Sequence, residues 1–465
     1  MNGTNASNSS LARFEPRQVT PIDSLPFEIL SKILFECIKE IIEGKPARIS
    51  ALIGPRNQPH SFKLVSKFWK DVAEGTSSLW SHISAPPYNP LTYRKDPYAT
   101  STFVSTWLNA SKSLPLHVYH PRYELQIREM FFANDPQIHA AMDALNKSIA
   151  LHRRQMLDLF VAHEQRWESL QISFTLSLLR HFTSKHLFAG HKVGERLSRL
   201  KISLDDWNIT LSKVNKLFRW IAALPVLRHL ELDDPHNVAG DFTLVPWRTL
   251  TRVLYRRRFL TFEDSFWLLR QCTSATDITL ISGHGSNPRW PLPTPPTISV
   301  PYRLEATTKL VLWGLEFPLD LLKRLSLPRL ECLEITSCFS TCLDPGDALS
   351  CFLDQSQCRL RRFVVSDLAL AEWRHNVYSG TLSSLPPMTV SDFSCILEAL
   401  QSYKVGNVLF RFKHHTRTVE EFQSSTGLLR YICPLFNLRV WMDDTEKART
   451  ARRPHIRFCV GWEES

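Results

Sequence analysis

From Trp167 onward one phrase keeps returning in this 465-residue chain: a bulky residue, two others, a Leu-like residue, one other, and a second Leu-like residue. Its paired positions are Leu170/Ile172, Leu200/Ile202, Leu230/Leu232, Val253/Tyr255, Ile278/Leu280, Leu310/Leu312, Leu333/Ile335, Phe363/Val365, Val408/Phe410 and Leu438/Val440. Two apolar side chains separated by one residue point to the same side of an extended chain, so each pair marks a strand with one buried face. Patches at helical spacing lie between several pairs. They are Val214, Leu217, Phe218 and Ile221; Phe266, Leu268, Leu269 and Cys272; Phe352 and Leu353; and Ile396, Leu397 and Leu400. The steps are mostly about 23 to 32 residues, the length of a strand-plus-helix repeat. One such unit cannot bury its apolar face alone, so neighbours must stack. The expected fold class is α/β, built as a solenoid.

A different pattern precedes the array. Pro26 suits the first position of a helix, and Glu28 in the first turn complements the positive helix end. Leu30, Ile33, Leu34, Cys37, Ile38 and Ile41 then repeat along one helix face, and Gly44 and Pro46 supply a stop. Phe62, Val65, Trp69, Val72 and Ala73 mark a second helix, closed by Leu79, Trp80 and Ile83. From periodicity alone, these residues either make an internal helical core or leave a face for a partner.

They resemble an F-box, in the variant common among fungal F-box-like proteins. The family opening Leu-Pro-x-Glu-Ile-Leu-x-x-Ile is met by Leu25 to Ile33. Its closing Val-Cys-x-x-Trp-x-x-x-Ala is met by Val65 to Ala73, and Leu-Trp-x-x-Ile by Leu79 to Ile83. Ser66 replaces the usual Cys, Ser77 stands where a Pro is common, and residues 44–60 lengthen the connection. The resemblance implies docking on a Skp-type adaptor and, through it, on a cullin scaffold. Leu25, Pro26, Glu28, Ile29, Leu30, Ile33, Leu34, Val65, Trp69, Leu79 and Trp80 would form or support the docking unit.

The array resembles the irregular leucine-rich repeats that follow F-boxes in this group, most closely at Leu327-Pro328-Arg329-Leu330-Glu331-Cys332-Leu333-Glu334-Ile335 and at Arg166-Trp167-Glu168-Ser169-Leu170. That implies a right-handed α/β horseshoe whose concave strand face binds a target protein. The family's Asn-or-Cys position is met only by Cys338, and insertions at 282–306 and 367–405 break the period. On the strand face opposite the paired residues, Leu254, Arg256, Ile281, Val311 and Trp313 form the candidate substrate-binding patch, since aromatic and Arg residues dominate interface energetics. The other reading is that an insertion folds over them and makes them ordinary core.

The expected organisation is a disordered tail over 1–20, an F-box-like helical domain over 21–85, a connector and first repeat with a long helix over 86–160, and the leucine-rich-repeat-like solenoid over 161–465. Pro86, Pro87, Pro90 and Pro97 punctuate the connector. Residues 114–118 alternate like a strand, and residues 136–166, free of Gly and Pro after Pro136, read as a helix.

Chemistry is sparse. There is no Gly-rich phosphate loop and no nucleophile elbow, so the chain reads as non-enzymatic. The F-box resemblance implies a substrate-recognition subunit of an SCF-type ubiquitin ligase, with ubiquitin transfer left to partner subunits. Cys332, Cys338, Cys342, Cys351 and Cys358 crowd together without paired zinc spacing, and they read as buried free thiols in repeat cores rather than a metal site. No cofactor is expected. The N-terminus lacks an apolar signal core and no segment approaches a membrane span, which points to the cytoplasm or nucleus. A net charge of +11 and pI near 9.2 raise nucleic acid, but without a reading motif a solvated basic surface explains them. Two rivals stay open: an F-box scaffold outside ubiquitination, and a basic nucleic-acid- or chromatin-associated repeat protein.

Overall fold

The chain divides into two units, residues 1–119 and 120–465. A computed structural model describes residues 24–43, 60–86, 88, 99–120, 136–185, 194–238, 240–283, 300–315, 318–336, 344–368, 390–403, 405, 407–412, 439–442 and 456–460. The expected tail over 1–20 lies outside these residues, and the unit boundary falls inside the segment read as connector.

The first unit begins with α1 (Phe27–Glu43). Pro26 precedes the helix instead of occupying its first position, and its carbonyl accepts from the Ile29 and Leu30 N–H groups, both at 3.1 Å. Leu30, Leu34 and Ile38, spaced four apart, are buried. Ile33 and Cys37, expected on the same face, are exposed instead, because the buried stripe is only one residue wide. Ser66, in extended conformation (φ −155, ψ 169), caps α2 (Lys67–Gly75) by accepting from the Trp69 N–H at 3.2 Å. The Ser at the motif's Cys position is therefore a helix cap. Ser66→Ala is expected to cost about 1 kcal/mol, read as faster hydrogen exchange in α2. Trp80, fully buried, donates from Nε1 to the Ala73 carbonyl at 2.8 Å and meets Trp107 edge-on at 5.2 Å between centroids. Trp107 belongs to α3 (Ala99–Ala110), which joins β1 (His82–Ser84) to its parallel partner β2 (Leu116–His120).

The second unit is the repeat array. Helix α4 (Pro136–Val161) precedes β3 (Trp167–Phe174), and α5 (Leu176–Lys185), β4 (Arg199–Leu204), α6 (Leu211–Ala222) and β5 (His229–Asp234) follow. Next come β6 (Arg252–Arg257), α7 (Phe262–Gln271), β7 (Asp277–Ser282), β8 (Tyr302–Arg303), β9 (Lys309–Trp313), α8 (Pro318–Leu322), β10 (Leu325–Ser326) and β11 (Cys332–Thr336). The array ends with α9 (Pro345–Ser356), β12 (Arg362–Leu368), α10 (Val390–Ser402), β13 (Asn407–Phe412), β14 (Arg439–Met442) and β15 (Ile456–Val460). Strands β3, β4, β5, β6, β7, β9, β11, β12 and β13 form one continuous parallel run, while β8 and β10 pair with each other. A long all-parallel sheet alternating with helices is consistent with leucine-rich-repeat architecture.

The ladder aligns the paired residues across the whole run. Leu170, Leu200, Leu230, Val253, Ile278, Leu310, Leu333, Phe363 and Val408 stand opposite one another in successive strands. None of them is more than 2% exposed. The helical patches between them are buried too. Where the step is short, the helix shrinks: from Leu230 to Val253 the chain fits only two 3₁₀ turns (Phe242–Leu244 and Trp247–Thr249), and from Leu310 to Leu333 only α8. The tenth phrase breaks the pattern. Val440 lies in β14, which pairs antiparallel with β15, and β15 pairs antiparallel with β13. Leu438 lies outside the described residues. No described helix is long and apolar enough to cross a membrane.

Burial on α4 departs from its apolar pattern, since His152 and Arg153 are buried while Leu151 is exposed. Arg153 donates to the Ser173 carbonyl, and His120 Nε2 to the Arg153 carbonyl at 3.2 Å. Burial, then the Arg153 charge, lowers the His120 pKa to about 3. The folded chain thus keeps His120 neutral where the unfolded chain binds a proton, near pH 6.5. Its stability contribution is complete above that pH and falls as pH drops toward 3. Between pH 7 and 5 the wild-type chain is expected to lose about 2 kcal/mol more than His120→Gln in urea unfolding.

Candidate interaction surfaces

The first surface belongs to the helical unit. Phe27 is 41% exposed, Ile29 48%, Ile33 40%, Leu64 75% and Val65 58%. Ile29 and Ile33 are one turn apart on α1, while Leu64 ends a 3₁₀ turn (His60–Leu64) and Val65 adjoins the Ser66 cap. Of the expected docking residues, Pro26, Glu28, Ile29, Ile33 and Val65 are exposed, and Leu25 and Trp69 are half-buried. Leu30, Leu34, Leu79 and Trp80 are at most 1% exposed, so they belong to the core of the unit and not to its accessible surface. Helix geometry explains the split: a face wide enough for both sets has an inner stripe and a flank. Phe27 and Leu64 were not among the expected contacts. Phe27 packs against Gly75, where a Cβ would come within 2.9 Å of its ring, yet much of the ring stays in water.

The second surface is the strand face opposite the paired residues. The ladder brings Arg256, Ile281 and Trp313 side by side on β6, β7 and β9, and Leu254, Thr279 and Val311 in the row beside them. Strand register therefore joins all five expected patch residues and adds Thr279. Their accessibility differs: Trp313 is 39% exposed and Arg256 is exposed, Leu254 and Ile281 are half-buried, and Val311 is 5% exposed. Val311 thus belongs to the packed interior and is not a contact residue. Val364, in the same row, is fully buried as well.

Charge on this face is organised across strands. Lys201 pairs with Glu231 at 2.7 Å, and Arg256 with Asp233 at 3.3 Å. Asp277 lies between Arg252 at 3.1 Å and Lys309 at 3.5 Å. Ser173 and Ser203, adjacent in register, both donate to Asp205. Burial pushes the Asp233 carboxyl above the ordinary carboxylate range, although Arg256 opposes the shift.

The short step between β5 and β6 leaves a cavity of about 210 Å³ on the helix side, walled by Phe242, Trp247, Tyr255 and Trp267 with Arg257 and Asp264. Arg257 bridges buried Asp234 at 3.7 Å and Asp264 at 3.5 Å, and its guanidinium lies over Phe242 at 5.4 Å. The protein's own cation therefore already occupies the aromatic wall.

No family model matches the sequence, and no curated protein matches it either. The resemblance to an F-box therefore stands on the residues of the chain alone.

Among the described residues no group of three or more His, Cys, Asp and Glu side chains is placed to hold a metal ion. Cys332 lies on the open strand face, paired in register with Lys309 and Arg362, and not in a repeat core as expected. Cys351 and Cys358 are free and half-buried, while Cys338 and Cys342 lie outside the described residues.

Proposed function

We propose that the chain is a substrate-recognition subunit of an SCF-type ubiquitin ligase. Its helical unit would dock on a Skp-type adaptor and thereby on a cullin scaffold, and its repeats would hold a target protein. The observation that carries this reading is the exposed apolar set Phe27, Ile29, Ile33, Leu64 and Val65, in which Ile29, Ile33 and Val65 are motif residues, Phe27 lies within the motif and Leu64 adjoins it. Five large apolar side chains left in water on one small helical unit are costly unless a partner covers them, each being worth on the order of 1 kcal/mol when its exposed part is buried.

The test is co-expression with the adaptor followed by size-exclusion chromatography. A stable one-to-one pair that also brings down the cullin supports the reading. Failure of the intact chain to pair at all removes it, and pairing without cullin recruitment shifts the function to a scaffold outside ubiquitination.

A further inference from the structure

All strand C-termini of a parallel run lie along one rim of the sheet, and three exposed aromatic side chains sit on this one. Trp207, just beyond β4, is 77% exposed; Phe259, just beyond β6, is 41% exposed; Trp313, the last residue of β9, is 39% exposed. In the strand order β4-β5-β6-β7-β9 they fall on every second strand.

Their backbones are held by neighbouring repeats. Asp206, next to Trp207, accepts from the Leu176 N–H at 3.1 Å and from the Asn208 N–H at 2.9 Å, tying the loop to the start of α5. The Phe259 N–H donates to Asn237 Oδ1 at 3.1 Å, and the Leu260 N–H to Ser282 Oγ at 3.2 Å, so the repeats on both sides fix this loop. Trp313 is locked in the ladder beside Ile281 and Thr336. Fixed loops that keep large aromatic groups in water are pre-organised for contact, because little ordering remains to be done on binding.

Spacing and charge then specify the occupant. Adjacent strands are about 4.8 Å apart, so carriers two strands apart are separated by about 10 Å along the rim. A peptide in the polyproline II conformation has three residues per turn and rises about 3.1 Å per residue, so side chains three apart share one face and span that distance. Arg258, exposed and lying 5.3 Å over the Phe259 ring, has no carboxylate within ion-pair distance among the described residues. Beside the middle anchor it presents an unneutralised positive charge.

We propose that this rim binds an acidic peptide in the polyproline II conformation whose apolar side chains recur every third residue, with an Asp or Glu facing Arg258. The proposal deepens the reading above, since it names the class of target segment that the repeats would hold.

A phage-displayed library of random 12-residue peptides, selected on the immobilised full chain, tests it. The counter-selection uses Trp207→Ser, Phe259→Ser and Trp313→Ser combined, changes at exposed positions whose fold is verified by an unchanged melting curve. Peptides retained by the wild type and lost on the triple variant are expected to carry apolar residues three apart and an acidic residue. A synthetic peptide of the enriched sequence is expected to weaken at least tenfold on Arg258→Glu. Peptides retained equally by both chains, an enriched spacing of four, or an affinity indifferent to Arg258→Glu overturns the proposal. Adaptor pairing is measured on the same samples: peptides selected by a chain that fails to pair uphold the rim and remove the ligase reading, whereas pairing without rim-dependent peptides does the reverse.

Discussion

Ile29→Asp combined with Ile33→Asp is expected to abolish pairing with a Skp-type adaptor while leaving the helical unit folded. Both side chains lie one turn apart on α1 and are 48% and 40% exposed, so a carboxylate at either position stays hydrated in the free chain. In a docked interface each would be buried without a partner, at a cost of about 3–5 kcal/mol. A single such charge weakens binding more than 100-fold, since about 1.4 kcal/mol is a factor of ten. The measurement is the dissociation constant by calorimetry, with circular dichroism confirming an unchanged melt. Trp80→Ala is the contrasting control: it loses pairing by unfolding, because Trp80 is fully buried and holds the Ala73 carbonyl. An undiminished affinity of the double Asp variant would place the docking surface elsewhere.

Phe363→Ala should produce the largest loss of stability in the repeat array, about 3–5 kcal/mol. Phe363 is fully buried and stands in register between Leu333 and Val408. Stability in a stacked array is a sum of unit and nearest-neighbour contributions. Hydrogen exchange should therefore accelerate in β11, β12 and β13 far more than in β3, β4 and β5. A uniform acceleration, or a loss below about 1 kcal/mol, would contradict the one-dimensional description. By comparison, Trp207→Ser at the exposed rim is expected to change stability by no more than about 0.5 kcal/mol.

Register was the most legible feature of this chain. The Leu170/Ile172 to Val408/Phe410 pairs recur because every unit presents the same inner face, and the ladder aligns them residue by residue. The end of the array departs from the expected tenth repeat strand. Ile456, Phe458 and Val460 alternate as plainly as any repeat strand, but direction is not written in an alternation. In the sheet β15 runs antiparallel and lies between β13 and β14.

The candidate surfaces were legible only by parity. Alternation put Arg256, Ile281, Val311 and Trp313 on one face, yet Val311 is buried and Trp313 is 39% exposed. On α1 the three-and-four spacing grouped Ile33 and Cys37 with Leu34 and Ile38, although Leu30, Leu34 and Ile38 are buried while Ile33 and Cys37 are exposed. The Trp207–Phe259–Trp313 row has no sequence signature at all, since its members occupy different offsets from their strands.

By itself the sequence determined the alternation of strand and helix, the stacking that follows from it, and the helical motif ahead of the array. These are local or periodic properties, fixed by which side of a strand or helix each side chain leaves. The tertiary structure alone decided which apolar residues remain in water, which way the last strands run, and which loops share a rim. Those outcomes depend on what lies across from each residue, and a neighbour supplied by the next repeat leaves no trace in local spacing.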